Sequence, residues 1–142
     1  MDRWKKSFVE RLSRAQSQWV ARFEKALDEH LAPVLEEYTP FLTDNGFRVS
    51  MPLRESSRRS VKFELAENAY VLLVLRSTAV GEFELRRETF VPGAEPQLQR
   101  LTGRIGELNR HWFDEQIRTA LDAFVDLLAG ESPAPVEQLV SV

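Results

Sequence analysis

Residues 61–75, VKFELAENAYVLLVL, contain the pattern that decides the fold. In the first half, Val61 and Phe63 alternate with Lys62 and Glu64, which is typical of a β-strand with one apolar face. A tight turn at residue 68 is expected to follow, because asparagine tolerates turn conformations. The second half, residues 70–75, is apolar at every position, so both faces of that strand require cover.

The alternation continues on both sides of this hairpin. Upstream, residues 47–54 alternate apolar and mostly polar positions, and Pro52 marks an edge strand because it cannot donate to a sheet ladder. Downstream, Phe83 and Leu85 alternate with charged residues after a turn near Gly81. Because the connections are short, the sequence predicts a four-stranded antiparallel meander over residues 47–91.

A strong helical period precedes the sheet. Apolar residues recur there at steps of four, four and three, which is typical of an amphipathic helix. They are Trp4, Phe8, Leu12, Ala15, Trp19, Phe23 and Ala26. We predict a long helix over residues 1–31, ending before Pro33, because proline disfavours the helical conformation of the preceding residue. A short second helix is predicted over residues 34–43.

The remaining chain is predicted to be helical and then irregular. A helix is predicted over residues 97–129, starting at about Gln97 or Arg104, with Gly130 just past its end and its apolar stripe changing direction near Asn109. Residues 131–142 contain two prolines and predict a flexible tail. The fold class is therefore α+β within a single domain, residues 1–130: a long N-terminal amphipathic helix, a meander and a C-terminal helix packed on the sheet.

Composition excludes several classes of protein. The 142 residues contain 19 basic and 22 acidic side chains, a net charge of −3, and no cysteine. Disulfides, thiolate metal sites and cysteine nucleophiles are therefore excluded. Charged residues interrupt the segment after Lys6, unlike a secretory signal peptide, and the longest apolar run, residues 69–75, is too short to span a bilayer. We expect a cytoplasmic protein.

Motifs for catalysis or cofactor binding are missing from the sequence. Only His30 and His111 could act as a histidine base, and the chain has neither a nucleophile elbow nor a P-loop. His111 and Glu115 are four residues apart, an ordinary spacing for a solvated helix face. We expect no catalytic residue, no metal and no cofactor, which favours a non-enzyme.

Surplus apolar surface favours an interaction protein. The first helix is longer than strands of about 6 residues can cover, and the third strand is apolar on both faces. Self-association would bury both surfaces, and twofold dimers are the commonest solution. We therefore predict a non-catalytic adaptor or chaperone-like module that forms a homodimer and binds a further protein. The predicted partner-binding residues are Trp4, Phe8, Leu12, Trp19, Phe23, Tyr70, Leu72 and Val74.

Two alternatives remain open. A small apolar ligand could bind between sheet and C-terminal helix, in a pocket formed by Phe63, Leu73, Phe83, Trp112 and Phe124. The basic, aromatic first helix could instead bind an anionic membrane, which we favour less. An anion patch is also predicted at Arg54, Arg58, Arg59 and Lys62. The acidic composition of the whole chain argues against nucleic acid as a partner.

Overall fold

A helical run, an antiparallel sheet and a final helix follow one another in the computed structural model, which describes residues 2–130. The run consists of α1 (Arg3–Ala26), one π-helical turn (Leu27–Leu31) and α2 (Ala32–Asp44). The strands are β1 (Arg48–Ser50), β2 (Arg58–Ala66), β3 (Ala69–Ser77), β4 (Glu82–Phe90) and β5 (Gln97–Arg104). A 3₁₀ turn (Ile105–Glu107) leads into α3 (Arg110–Leu128). The α+β class is as predicted, and the predicted tail, residues 131–142, lies outside the described residues.

The helical run does not break at Pro33. Its first turn is capped by Asp2, whose carboxylate accepts a hydrogen bond of 2.9 Å from the Trp4 amide. Pro33 lies in the first turn of α2, directly after the π turn. A widened turn relieves the clash of a proline ring with the preceding carbonyl groups. The predicted division into helices over residues 1–31 and 34–43 is therefore replaced by one continuous run.

The sheet has five strands rather than four, in the order β1-β2-β3-β4-β5. The prediction of a helix over residues 97–129 is wrong in its first part, because residues 97–104 pair with β4, with Leu101 opposite Leu85. Glutamine, leucine and arginine favour helices, but the turn at residues 91–96 returns the chain alongside β4, and pairing overrides propensity. Helix α3 begins later, at Arg110, and is capped by Asn109, whose side chain accepts a hydrogen bond from the Trp112 amide.

The core lies between one face of the sheet and the helices. Large buried side chains from the sheet include Val61, Phe63, Val71, Leu75 and Phe83. They pack in one cluster with helical residues that are also buried, namely Phe23, Leu27, Leu31, Val34, Phe113, Ile117 and Phe124. The other face of the sheet has no helix of the described chain against it. The α3 helix is thus packed on the sheet, as the sequence predicts.

The turn between β3 and β4 packs against Trp19 of α1. Gly81 has φ of +85°, and an added Cβ there would lie 3.1 Å from the ring of Trp19. Glycine is required both by the positive φ and by this close approach. Counted from the N-terminus, Trp19 is the first residue of the α1 stripe that is not exposed.

Candidate interaction surfaces

The N-terminal half of α1 is exposed along its whole length. All residues from 2 to 18 are exposed, including four large apolar side chains: Trp4 at 62%, Phe8 at 44%, Val9 at 59% and Leu12 at 46%. The rings of Trp4 and Phe8 are stacked, with centroids 5.3 Å apart. We name Trp4, Phe8 and Leu12 the N-terminal stripe. Monomeric proteins rarely expose contiguous apolar side chains of this size without a binding role.

The N-terminal stripe continues a stripe that is part of the core. Trp19 is half-buried against Gly81, and Phe23 is fully buried. Both lie in the same four-four-three series as Trp4, Phe8 and Leu12, and so on the same side of the helix. The sequence thus extends a packing face about four helical turns past the point where residues 2–130 supply anything to pack against it.

Charge separates this helix end from the rest of the chain. Residues 2–18 contain five basic side chains against the two acidic residues Asp2 and Glu10, so they carry a net charge of +3. The basic residues are Arg3, Lys5, Lys6, Arg11 and Arg14. Because the whole chain carries −3, the remaining residues carry −6. A basic, aromatic helix thus projects from an acidic body.

A second apolar surface lies between α2 and α3. It is a groove of about 570 Å³, which we name the α2–α3 groove. Its lining is mostly apolar or aromatic: Tyr38, Phe41, Leu42, Phe47, Leu121 and Val125, with Asn45, Arg118 and Asp122 at its edges. Phe41 is 61% exposed and Val125 is 52% exposed. Two large apolar side chains therefore face solvent from opposite walls.

One acidic residue lines this groove, and two more lie near it in the helices that form it. Asp122 is one of its lining residues, Asp126 lies one turn further along α3, and Asp44 is the last residue of α2. All three are exposed. The basic residue of the lining, Arg118, is held by Asp114 at 3.1 Å. The free charge around the groove is therefore negative.

A hydrogen-bond network closes one end of the α2–α3 groove. The Tyr38 hydroxyl donates to Asp114 Oδ1 at 2.6 Å, and Arg118 Nε donates to the same hydroxyl at 2.6 Å. Burial raises the pKa of Tyr38, and the hydrogen bond to Asp114 raises it further. Tyr38 therefore stays neutral at physiological pH and joins α2 to α3 across the groove.

A groove of about 580 Å³ between α2, the π turn and the β1–β2 connection contains Arg59. The Arg59 guanidinium lies 3.0 Å from Asp28 and 3.9 Å from Glu24, with its side chain 12% exposed. Its Nε is buried without a hydrogen-bond partner. Because two carboxylates of the same chain already neutralise Arg59, the groove shows no excess positive charge for a bound anion.

The four residues of the predicted anion patch are divided between the two faces of the sheet. Arg54 and Arg59 line the groove beside α2, whereas Arg58 and Lys62 line a shallow depression on the open face. Arg58 pairs with Glu55 at 3.5 Å, and Lys62 Nζ lies 3.1 Å from Glu64. The structure therefore separates the four cations into two pairs on opposite faces.

The other predicted partner-binding residues lie on the open face of the sheet. Tyr70, Leu72 and Val74 are half-buried there. Charged neighbours shield them: Lys62 Nζ lies 4.3 Å from the centroid of the Tyr70 ring, and Arg86 pairs with Glu88 at 2.9 Å in the same area. This face is less apolar to solvent than the N-terminal stripe.

The residues of the predicted ligand pocket belong to the core. Phe63, Phe83 and Phe124 are at most 1% exposed, and Leu73 is 3% exposed. Trp112 is half-buried and packs edge-on against Phe83, with centroids 5.1 Å apart. These side chains fill the layer between sheet and α3.

Besides binding surfaces, metal sites and membrane-spanning helices are the features of interest within residues 2–130. No group of three or more histidine or acidic side chains there is arranged to hold a metal ion, and His111 pairs only with Glu115, at 3.4 Å on the surface. In the same residues, no helix is both long and apolar enough to cross a bilayer.

Comparison with known proteins gives no family for this chain. No family model matches it, and neither a curated protein nor a solved structure does.

The α2–α3 groove is the surface that the sequence does not predict. A signal is present on α3, where Leu121, Val125 and Leu128 follow the helical spacing of four and three beside the core stripe. Phe41 has no comparable signal, because only the packing of α2 against α3 places it opposite Val125. Two helices joined through a whole sheet cannot be aligned from their sequences alone.

Proposed function

We propose that this protein is a non-catalytic interaction module, adaptor or chaperone-like, that forms a homodimer through its exposed N-terminal helix. The observation that carries the proposal is the N-terminal stripe. Full burial of a large apolar side chain contributes about 1.5–3 kcal/mol, and three such side chains are about half-exposed here. Covering them with protein stabilises a complex by several kcal/mol, before the cost of association.

Membrane binding is the competing function that the same helix supports, because aromatic and basic side chains together favour an anionic bilayer surface. The rest of the chain argues for a protein partner instead. Its net charge of −6 is repelled by anionic lipid, whereas it attracts the basic helix of another copy.

Paired aspartate substitutions on the two faces of α1 test the proposal. Trp4→Asp with Phe8→Asp places two charges on the N-terminal stripe, and we expect this variant to sediment as a monomer where the unmodified chain is a dimer. Ser13→Asp with Ser17→Asp is the matched control, with the same charges and spacing on the opposite face. We expect the control to remain dimeric.

Two results would count against the proposal. One is a stripe variant that sediments as the unmodified chain does. The other is an unmodified chain that stays monomeric but pellets with phosphatidylserine vesicles at low salt, which would favour the membrane function. As a control, circular dichroism of each variant tests whether the helices and the sheet are retained.

A further inference from the structure

We infer that the N-terminal stripe of one copy docks in the α2–α3 groove of a second copy. Because this assignment names the surface that the exposed helix binds, it rests on the proposed function. Both surfaces are unpartnered in the described chain: Trp4 is 62% exposed on the helix, and Phe41 is 61% exposed at the groove.

The two surfaces match in shape. The stripe presents Trp4, Phe8 and Leu12 at successive turns of one helix, which is the anchor spacing of helices that bind in apolar grooves. The groove offers about 570 Å³ between two helices, lined by aromatic and aliphatic side chains. A third helix laid between α2 and α3 would cover Phe41 and Val125 together.

The two surfaces also match in charge. At about 100° per residue, Lys5 and Arg11 lie on the two sides of the stripe, and the helix segment carries +3. Asp122 lines the groove, whereas Asp126 lies one turn further along α3 and Asp44 lies at the end of α2, and all three are exposed. Docking therefore brings basic flanks against acidic rims, which favours this orientation over others.

Charge disfavours the other occupants that this chain could supply. Two N-terminal stripes packed on one another would place +3 against +3. Residues 131–142 lie outside the described structure and contain Glu131 and Glu137 with no basic residue, so they are repelled by the same acidic rim. The basic helix is the complementary segment.

A stripe that docks in the groove comes from another copy. Trp4 and Phe41 lie 37 residues apart on one unbroken helical run, which corresponds to about 55 Å of helix. The stripe therefore cannot reach the groove of its own chain. Each copy has one stripe and one groove, so reciprocal docking gives a closed twofold dimer.

Two contacts also bury more area than one. A buried aromatic side chain contributes about 150–250 Å², so a single half-exposed stripe falls well short of the roughly 800 Å² per partner of a stable complex. In the reciprocal dimer each chain buries both its stripe and its groove, so the buried area is twice that of a single contact.

Charge reversal on the two surfaces, separately and together, tests this docking. Lys5→Glu with Arg11→Glu reverses the helix flanks, and Asp122→Lys with Asp126→Lys reverses one wall of the groove. We expect each pair to raise the dimer dissociation constant about tenfold. We expect the chain carrying all four substitutions to return to within about threefold of the unmodified value. Lys6→Glu with Arg14→Glu, on the opposite face of α1, is the control and should have a smaller effect.

The outcomes separate this docking from the proposed function. Failure of the fourfold variant to recover, or an unchanged dimer after reversal of Asp122 and Asp126, would overturn the groove as the docking surface. Stronger dimerisation after reversal of Lys5 and Arg11 would instead indicate that two stripes pack on one another. Both results leave an interaction module in place. A dimer insensitive to the stripe variant Trp4→Asp with Phe8→Asp would overturn the proposed function itself.

Discussion

Tyr38 shows how single residues shape the proposed docking groove. Its hydroxyl lies between Asp114 and Arg118, at 2.6 Å from an oxygen of the one and from Nε of the other. The network fixes the distance between α2 and α3 at one end of the groove. It also pairs Arg118, the cation at the groove edge, with Asp114. The charge of Asp122 therefore dominates there.

We predict that Tyr38→Phe lowers the free energy of unfolding by about 1 kcal/mol at pH 7, because one hydrogen-bonded hydroxyl is lost. The pKa of Tyr38 is raised above its usual value of 10 in the folded state. Its stabilising contribution is therefore fully present below pH 10 and is lost as the pH rises through the folded pKa. Urea titrations at pH 7, 9 and 11 should show the difference between the two proteins narrowing at pH 11.

The chain has one other tyrosine, Tyr70, which makes Tyr70→Phe the matched control. It removes the same hydroxyl from the open face of the sheet, and we expect a smaller change at pH 7. A Tyr38→Phe difference that is equally large at pH 11 would show that the hydroxyl network is not its source.

At the scale of elements, the two ends of α1 have different roles. Phe23 is fully buried in the core, whereas the helix is exposed from Arg3 to Gln18. Stability of the body should therefore depend on the second half of α1, and association on the first half.

Deletion of residues 2–15 tests this division. We predict that the shortened chain keeps its sheet and α3 and loses less than about 1 kcal/mol of unfolding free energy, because the deleted side chains are exposed. It should no longer dimerise. Phe23→Ala is the comparison and should cost about 3–5 kcal/mol. Urea denaturation is measured at a dilution where the full chain is monomeric, so that association does not add to its stability.

A large loss of stability on deletion would mean that residues 2–15 pack on the body of their own chain. The exposed stripe would then not exist in solution, and the basis of the proposed function would be removed.

The sequence predicts those elements in which apolar residues recur with a regular period. The four-four-three series predicts α1, and the alternation around Phe63 predicts β2. The strand β5 is missed because Gln97, Leu98 and Gln99 favour a helix locally, and only hydrogen bonding to β4 makes them extended. The sequence analysis misses the continuity of α1 and α2, because a π turn at residues 27–31 accommodates Pro33. The spacing of apolar residues does not indicate such a turn.

The candidate interaction surfaces are likewise predicted only in part from the sequence. Trp4, Phe8 and Leu12 are predicted as partner-binding residues because their helix is too long for the sheet, and the structure places them in solvent. The α2–α3 groove escapes prediction, since Phe41 and Val125 meet only through tertiary packing. Phe23 belongs to the same sequence pattern as Trp4 but lies in the core, so the pattern alone does not show where the body ends.

At the scale of the whole molecule, the distribution of charge favours binding of the basic N-terminal helix of one copy to the acidic remainder of another. The first helix end carries +3 and the remaining chain −6. Such surface contacts are screened by salt, because the Debye length falls from about 10 Å at 0.1 M to about 3 Å at 1 M. A dimer held partly by these charges therefore forms best at low ionic strength.

A native mass spectrum of the 142-residue protein, sprayed from a low-salt volatile buffer, tests the central claim most directly. The homodimer proposal predicts a main species at twice the chain mass of 16.4 kDa, with no added mass. A species of 16.4 kDa at concentrations of tens of micromolar, roughly the range of a weak dimer, would contradict it. A monomer that carries a discrete extra mass would contradict it too, and would favour a ligand-binding domain instead.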